Sequence, residues 1–123
     1  MAPPPALAVH GALARGVFAG VVLVSLAVLF APASDVPSAP AGVDKVVHLA
    51  LFAALAAGGR WAGIGARVLA VLLLGYAAVS EVVQGLPALG RSTSLADWGA
   101  DAVGVLLGLA LWGLAARRTP ASR

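Results

Sequence analysis

The chain has no cysteine, so it can form no disulfide, offer no thiolate nucleophile and build no cysteine-ligated zinc site. Charge is scarce too: eight Lys and Arg stand against five Asp and Glu, together 11% of 123 residues. Hydrophobic residues make up 61%, and the mean hydropathy is +0.99. Such a balance excludes an ordinary soluble domain, and the length allows only one domain. The pI of about 10.7 does not indicate nucleic acid, because the basic residues form no run and no basic face. They stand singly at the edges of apolar stretches, as cytoplasmic anchoring charges do. Neither a nucleic-acid partner nor a cofactor is expected.

What the chain does contain is four apolar stretches. They predict an all-α, polytopic membrane protein, a four-transmembrane-helix bundle with spans at about 15–34, 44–63, 67–88 and 95–116. A flexible segment, 1–14, precedes the membrane domain of 15–116, and a cytoplasmic tail, 117–123, follows it. The second stretch is short and reaches spanning length only with Asp44 and Arg60 at the two interfaces. Glu81 interrupts the third, and Asp97 and Asp101 occupy the first two turns of the fourth. Ala31-Pro32-Ala33 faintly resembles a signal-peptide cleavage site, but Pro32 and the length of the apolar run oppose that reading.

If the four helices alternate in direction, Arg15, Arg60, Arg67, Arg117, Arg118 and Arg123 fall on one side. Only Lys45 and Arg91 fall on the other. The positive-inside rule then puts both termini in the cytoplasm of a multi-pass plasma-membrane protein. The end carrying Asp44, Lys45, His48, Glu81, Gln84, Arg91, Asp97 and Asp101 faces outward. An ionisable group inside a span costs roughly 2.5–3.5 kcal/mol and is by default a functional-site hypothesis.

Helical spacing makes these residues coherent. Asp44 and His48 are four apart, Lys45 and His48 three, Glu81 and Gln84 three, Asp97 and Asp101 four, each pair sharing a helix face. At a rise of about 1.5 Å per residue, His48, Glu81 and Asp101 each lie about 6 Å below the end of their span. Three helices thus carry polar groups to a common depth.

The ordered set Asp44-Lys45-x-x-His48-x-x-x-Phe52, Ser80-Glu81-x-x-Gln84, Arg91 and Asp97-x-x-x-Asp101-x-x-Gly104-x-x-x-Gly108 resembles the VanZ-like family. That family is named after a teicoplanin-resistance membrane protein. Its pattern runs D-K-x-x-H-x-x-x-F, E-x-x-Q, an arginine, then D-x-x-x-N-x-x-G. The likeness spans about Val43 to Trp112, with Asp101 standing where the family usually has Asn. The resemblance implies a small helical membrane bundle of the cell envelope and a polar residue set, without implying glycopeptide resistance for this chain.

Each residue also has a plainer role. Lys45 alone reads as an interfacial anchor, and Arg91 as a counter-charge to Glu81 or Asp97. Gly104 and Gly108 form a small-xxx-small face that lets helices, or a second copy in a homo-oligomer, approach closely. Gly16 and Gly20 offer the same in the first span. Trp61, Trp98 and Trp112 read as interfacial anchors, and Phe52 as packing.

Three functions fit the set. The first is recognition of an anionic membrane lipid or cell-wall precursor, with Lys45 and Arg91 as cations and Arg91 gripping phosphate or carboxylate. The second is a structural network that fixes the bundle and presents it to a partner. The third is acid–base or metal-assisted catalysis on a lipid phosphate, with His48, Glu81 and Asp97 as catalytic candidates and His48, Glu81 and Asp101 as weak metal-ligand candidates. No zinc motif such as H-E-x-x-H supports the third. Polar groups crowded at one end argue against a pore.

Overall fold

The computed structural model describes residues 10–91 and 94–118. Residues 1–9 of the expected leading segment and 119–123 of the expected tail, including Arg123, lie outside the described residues. All the long elements are helices: α1 Ala12–Leu29, α2 Val43–Trp61, α3 Ala66–Gln84 and α4 Leu95–Arg118, with one short 3₁₀ turn, Ala33–Asp35, between α1 and α2.

Three of the helices, α1, α3 and α4, are long and apolar enough to cross a membrane. The 18 residues of α1 rise about 27 Å, close to the hydrocarbon thickness. Asp44, Lys45 and Arg60 keep α2 out of that class. Yet α2 is the helix on which the other three pack. Its buried residues, His48, Phe52, Leu55, Ala56 and Gly59, recur at helical spacing. The buried residues of α4 repeat that spacing at Asp97, Asp101, Gly104, Val105 and Gly108.

These two stripes face each other. His48 meets Asp101, and Cβ atoms added at Gly104 and Gly108 would run into the backbone of Leu49 and Ala53. Because both sets of numbers rise together, α2 and α4 run parallel. The reverse holds for α1 and α3: Phe18 and Leu69 lie against Gly59 at the far end of α2, whereas Glu81 lies near His48. The order is therefore up, down, up, down. Gly104 and Gly108 are buried against α2, so the close approach they allow is made within the chain. Gly16 and Gly20 of α1 have open space where a Cβ would stand.

Leu29, Phe52, Leu55, Ala56, Leu69, Leu73, Ala77 and Val105 form the core. Tyr76 joins it, its ring beside Phe30 and Phe52 and its hydroxyl 2.8 Å from Ser25 Oγ. The outer surface is apolar as well, with Leu23, Val46, Val71 and Leu106 each at least 66% exposed. A molecule with apolar walls and three of its five carboxylates, Glu81, Asp97 and Asp101, inside suits hydrocarbon, where exposed apolar side chains cost nothing.

Two elements end earlier than the apolar runs predict. α1 stops at Leu29 instead of 34, because Pro32 disfavours helical geometry in the residue before it. α3 stops at Gln84 instead of 88, where Gly85 and Pro87 break the helix. A backbone bond from Ala33 N–H to the Leu89 carbonyl, 2.8 Å, ties the two resulting loops together. The opposite end holds Arg15, Arg60, Arg67 and Arg117, with Arg60 Nη1 donating to the Ile64 carbonyl at 2.8 Å across the α2–α3 turn.

Candidate functional site

The polar end divides into two groups. The first lies between α2, α3 and α4. His48 Nδ1 is 2.7 Å from Asp101 Oδ1 and 3.9 Å from Glu81 Oε1, with all three residues buried. Beside them Lys45 Nζ lies 3.2 Å from Asp97 Oδ1 and 3.7 Å from Asp44 Oδ2. His48, Glu81 and Asp97 place donor atoms within 4.8 Å of one another. Asp101 Oδ2 is buried without a hydrogen-bond partner among the described residues.

Local sequence sets up each of these positions. His48 sits one turn into α2, on the face that continues to Phe52 and Leu55. Asp97 and Asp101 occupy successive turns of α4, whose start is capped by Ser94: the Asp97 N–H donates to Ser94 Oγ at 3.2 Å. The Ser94 N–H in turn donates to Glu81 Oε2 at 3.0 Å. The last turn of α3 and the first of α4 are thus joined through one carboxylate. Ser94 was legible as the start of an S-x-x-D capping pattern, yet sequence reasoning passed over it.

The second group closes the end of α1. Arg91 Nη1 donates to the carbonyls of Val28, Leu29 and Ala31, at 3.0, 3.1 and 3.5 Å. Gln84 Nε2 donates to the Leu29 carbonyl at 2.8 Å. Helix ends leave their last carbonyls without partners, and in hydrocarbon no water supplies one. These two side chains do so, and the Arg91 charge also answers the negative end of the α1 dipole. The expectation that Arg91 neutralises Glu81 or Asp97 is corrected by this geometry. Its partners are backbone oxygens, because the α1 C-terminus ends beside the α3–α4 loop. No described residue accepts from its Nε or Nη2.

Lys45 and Arg91 are likewise separated. The Lys45 ammonium faces Asp97 and Asp44, whereas Arg91 lines a cavity of about 630 Å³. The C-terminal part of α1, the loop that follows it and the first turns of α2 wall this cavity, and Asp35, Asp44 and His48 contribute its other polar groups. A smaller cavity, about 390 Å³, lies on the other side of the cluster against Ala78, Glu81, Ser94, Leu95 and Trp98. The cluster therefore borders one cavity through His48 and the other through Glu81.

Trp98, expected only as an interfacial anchor, lines the smaller cavity. Its Nε1 is buried with no hydrogen-bond partner among the described residues. The residue next to Asp97 and lining that cavity with Glu81, it was hidden in the sequence by its ordinary place near a span end. Comparison of the chain with protein-family models, curated proteins and solved structures finds no match to any of them.

Proposed function

We propose that this chain is a VanZ-like integral membrane protein of the bacterial cell envelope. Its four helices all cross the membrane, both termini are cytoplasmic, and its outer end receives the anionic head of a membrane lipid or cell-wall precursor. The arginines gathered at the opposite end support the orientation. The observation that carries the binding reading is the 630 Å³ cavity. Its walls are mostly apolar, and the Arg91 guanidinium and the His48 imidazole stand at its polar margin together with the carboxylates of Asp35 and Asp44. That combination suits an amphiphile: chain against Val28, Val36 and Val47, head toward Arg91. A phosphate or carboxylate there accepts from Nε and Nη2 while Nη1 holds the α1 carbonyls. Lys45, paired with Asp97, orders the neighbouring carboxylate and leaves the headgroup to Arg91.

The test is to fill the cavity. Ala27→Trp projects a bulky side chain into it from the exposed side of α1. In phosphatidylcholine vesicles carrying spin-labelled phosphatidylglycerol, the native protein should hold a motionally restricted label, and the variant should lose most of it. Equal restriction in both would sink the reading. A second reading, a polar network that fixes the bundle, draws support from the capping of α1 by Gln84 and Arg91. It predicts that Arg91→Ala disappears from the membrane along with its function.

A further inference from the structure

We propose that His48, Glu81, Asp97 and Asp101 form a binding site for a divalent transition-metal ion, beside the lipid cavity and sharing His48 with it. Two separate observations lead there. The first is the donor set: one imidazole nitrogen and two carboxylates, all buried, within 4.8 Å of one another. Metal–ligand bonds of about 2.0–2.2 Å put donors on opposite sides of an ion about 4.2 Å apart. Three donors no more than 4.8 Å apart reach one ion when each draws inward by about 0.6 Å at most. The second is Asp101, fully buried, with Oδ1 on His48 and Oδ2 without a hydrogen-bond partner among the described residues. Asp101 stands next to the donor set, its Oδ1 2.7 Å from His48 Nδ1, and joins it as a fourth ligand once its carboxylate shifts toward the ion.

Charge argues the same way. Glu81, Asp97 and Asp101 bring three carboxylates to the site, and the one lysine beside them is Lys45. Two negative charges remain in a buried, low-dielectric setting, where unbalanced charge is costly. One divalent ion cancels both while His48 stays neutral, the form that ligates. On loading, the ring proton passes from Nδ1 to Nε2 by exchange with solvent, so His48 stays neutral, and Nδ1 and Asp101 Oδ1 become adjacent ligands. Their 2.7 Å separation is close to the edge, about 2.8–3.1 Å, of a coordination shell with such bonds. One nitrogen and three carboxylates favour Mn²⁺, Fe²⁺ or Zn²⁺. Ca²⁺, which takes six to eight oxygen ligands, does not suit the set. The two flanking cavities reach His48 from one side and Glu81 from the other, providing a path to the ion.

The experiment uses the full chain purified in detergent and titrated with Mn²⁺, followed by electron paramagnetic resonance. The native protein should take up one ion per chain, with a hyperfine coupling from one imidazole nitrogen. His48→Gln should lose that coupling, and Asp101→Asn should weaken binding by roughly tenfold or more. Far-UV circular dichroism checks that both remain helical. If the native protein leaves Mn²⁺ free, or if folded His48→Gln binds it as the native chain does, the site does not exist. The native titration decides the matter even where a variant fails to fold. Ala27→Trp should keep the Mn²⁺ spectrum, so loss of the lipid reading and loss of the metal site are told apart.

Discussion

Arg91 illustrates how one side chain carries both structure and chemistry. Nη1 satisfies the end of α1, and the rest of the guanidinium borders the cavity. Removing it takes the side-chain donor from the carbonyls of Val28 and Ala31 and leaves Gln84 alone on that of Leu29. Arg91→Ala should therefore lower stability by about 1–3 kcal/mol, read as an earlier thermal transition in detergent. Arg91→Lys should recover part of the loss, since an ammonium still donates and still opposes the helix dipole. A transition unchanged in Arg91→Ala would mean that the capping bonds contribute nothing. Ser94→Ala removes the α4 cap and should cost about 1 kcal/mol in the same assay. At Asp101, Asn can still accept from His48 and offers an amide to the site. Asp101→Asn should then remain stable while its affinity for Mn²⁺ falls, separating the bond to His48 from the charge.

Among the elements, the seam between α2 and α4 matters most, because it brings His48 to Asp101 and Lys45 to Asp97. Gly104 and Gly108 set its spacing. A side chain at Gly104 meets the Leu49 backbone, which cannot step aside as a side-chain tip can. Gly104→Leu should therefore destabilise the fold by about 1–3 kcal/mol or more and pull Asp101 from His48. Gly113, farther along the same helix, has open space where its Cβ would stand. Gly113→Ala should be neutral or stabilising by up to about 1 kcal/mol from helix propensity alone. Comparable thermal shifts in the two variants would show that helix propensity, and not the seam, governs position 104. The stripe of small residues was legible in the sequence, but the helix it lies against was not.

For the whole molecule, the orientation is open to a direct test, because the chain has no cysteine to mask a label. Ser38 is exposed in the loop at the site end, and Ala116 is exposed near the other end of α4. Ser38→Cys should react with a membrane-impermeant maleimide in intact cells, whereas Ala116→Cys should react only after the membrane is opened. The reverse pattern would turn the polar end, and the cavity with it, toward the cytoplasm. Ser92, the position that the expected topology alone would select for such a label, lies outside the described residues.

The four helices were readable because apolar runs and helical spacing are local properties. So was the shared depth of His48, Glu81 and Asp101, since each lies about one turn from a span end. The helix ends were less so: the apolar runs continue to 34 and 88, while Pro32, Gly85 and Pro87 end α1 and α3 sooner. Pairing was not legible at all. Opposite charges attract over several ångströms in any direction, so Arg91 looked as suited to Glu81 or Asp97 as to a helix end. Which partner each residue takes depends on how the helices are rotated and which of them touch. The parallel packing of α2 on α4 decides that, turning a row of polar residues into a buried cluster of His48, Glu81, Asp97 and Asp101 and a separate cap on α1. The sequence by itself determined an apolar helical chain with its charge at the helix ends, because composition and period act within each helix. Only the tertiary structure decided which charges meet, because that depends on close contact between helices far apart in the chain.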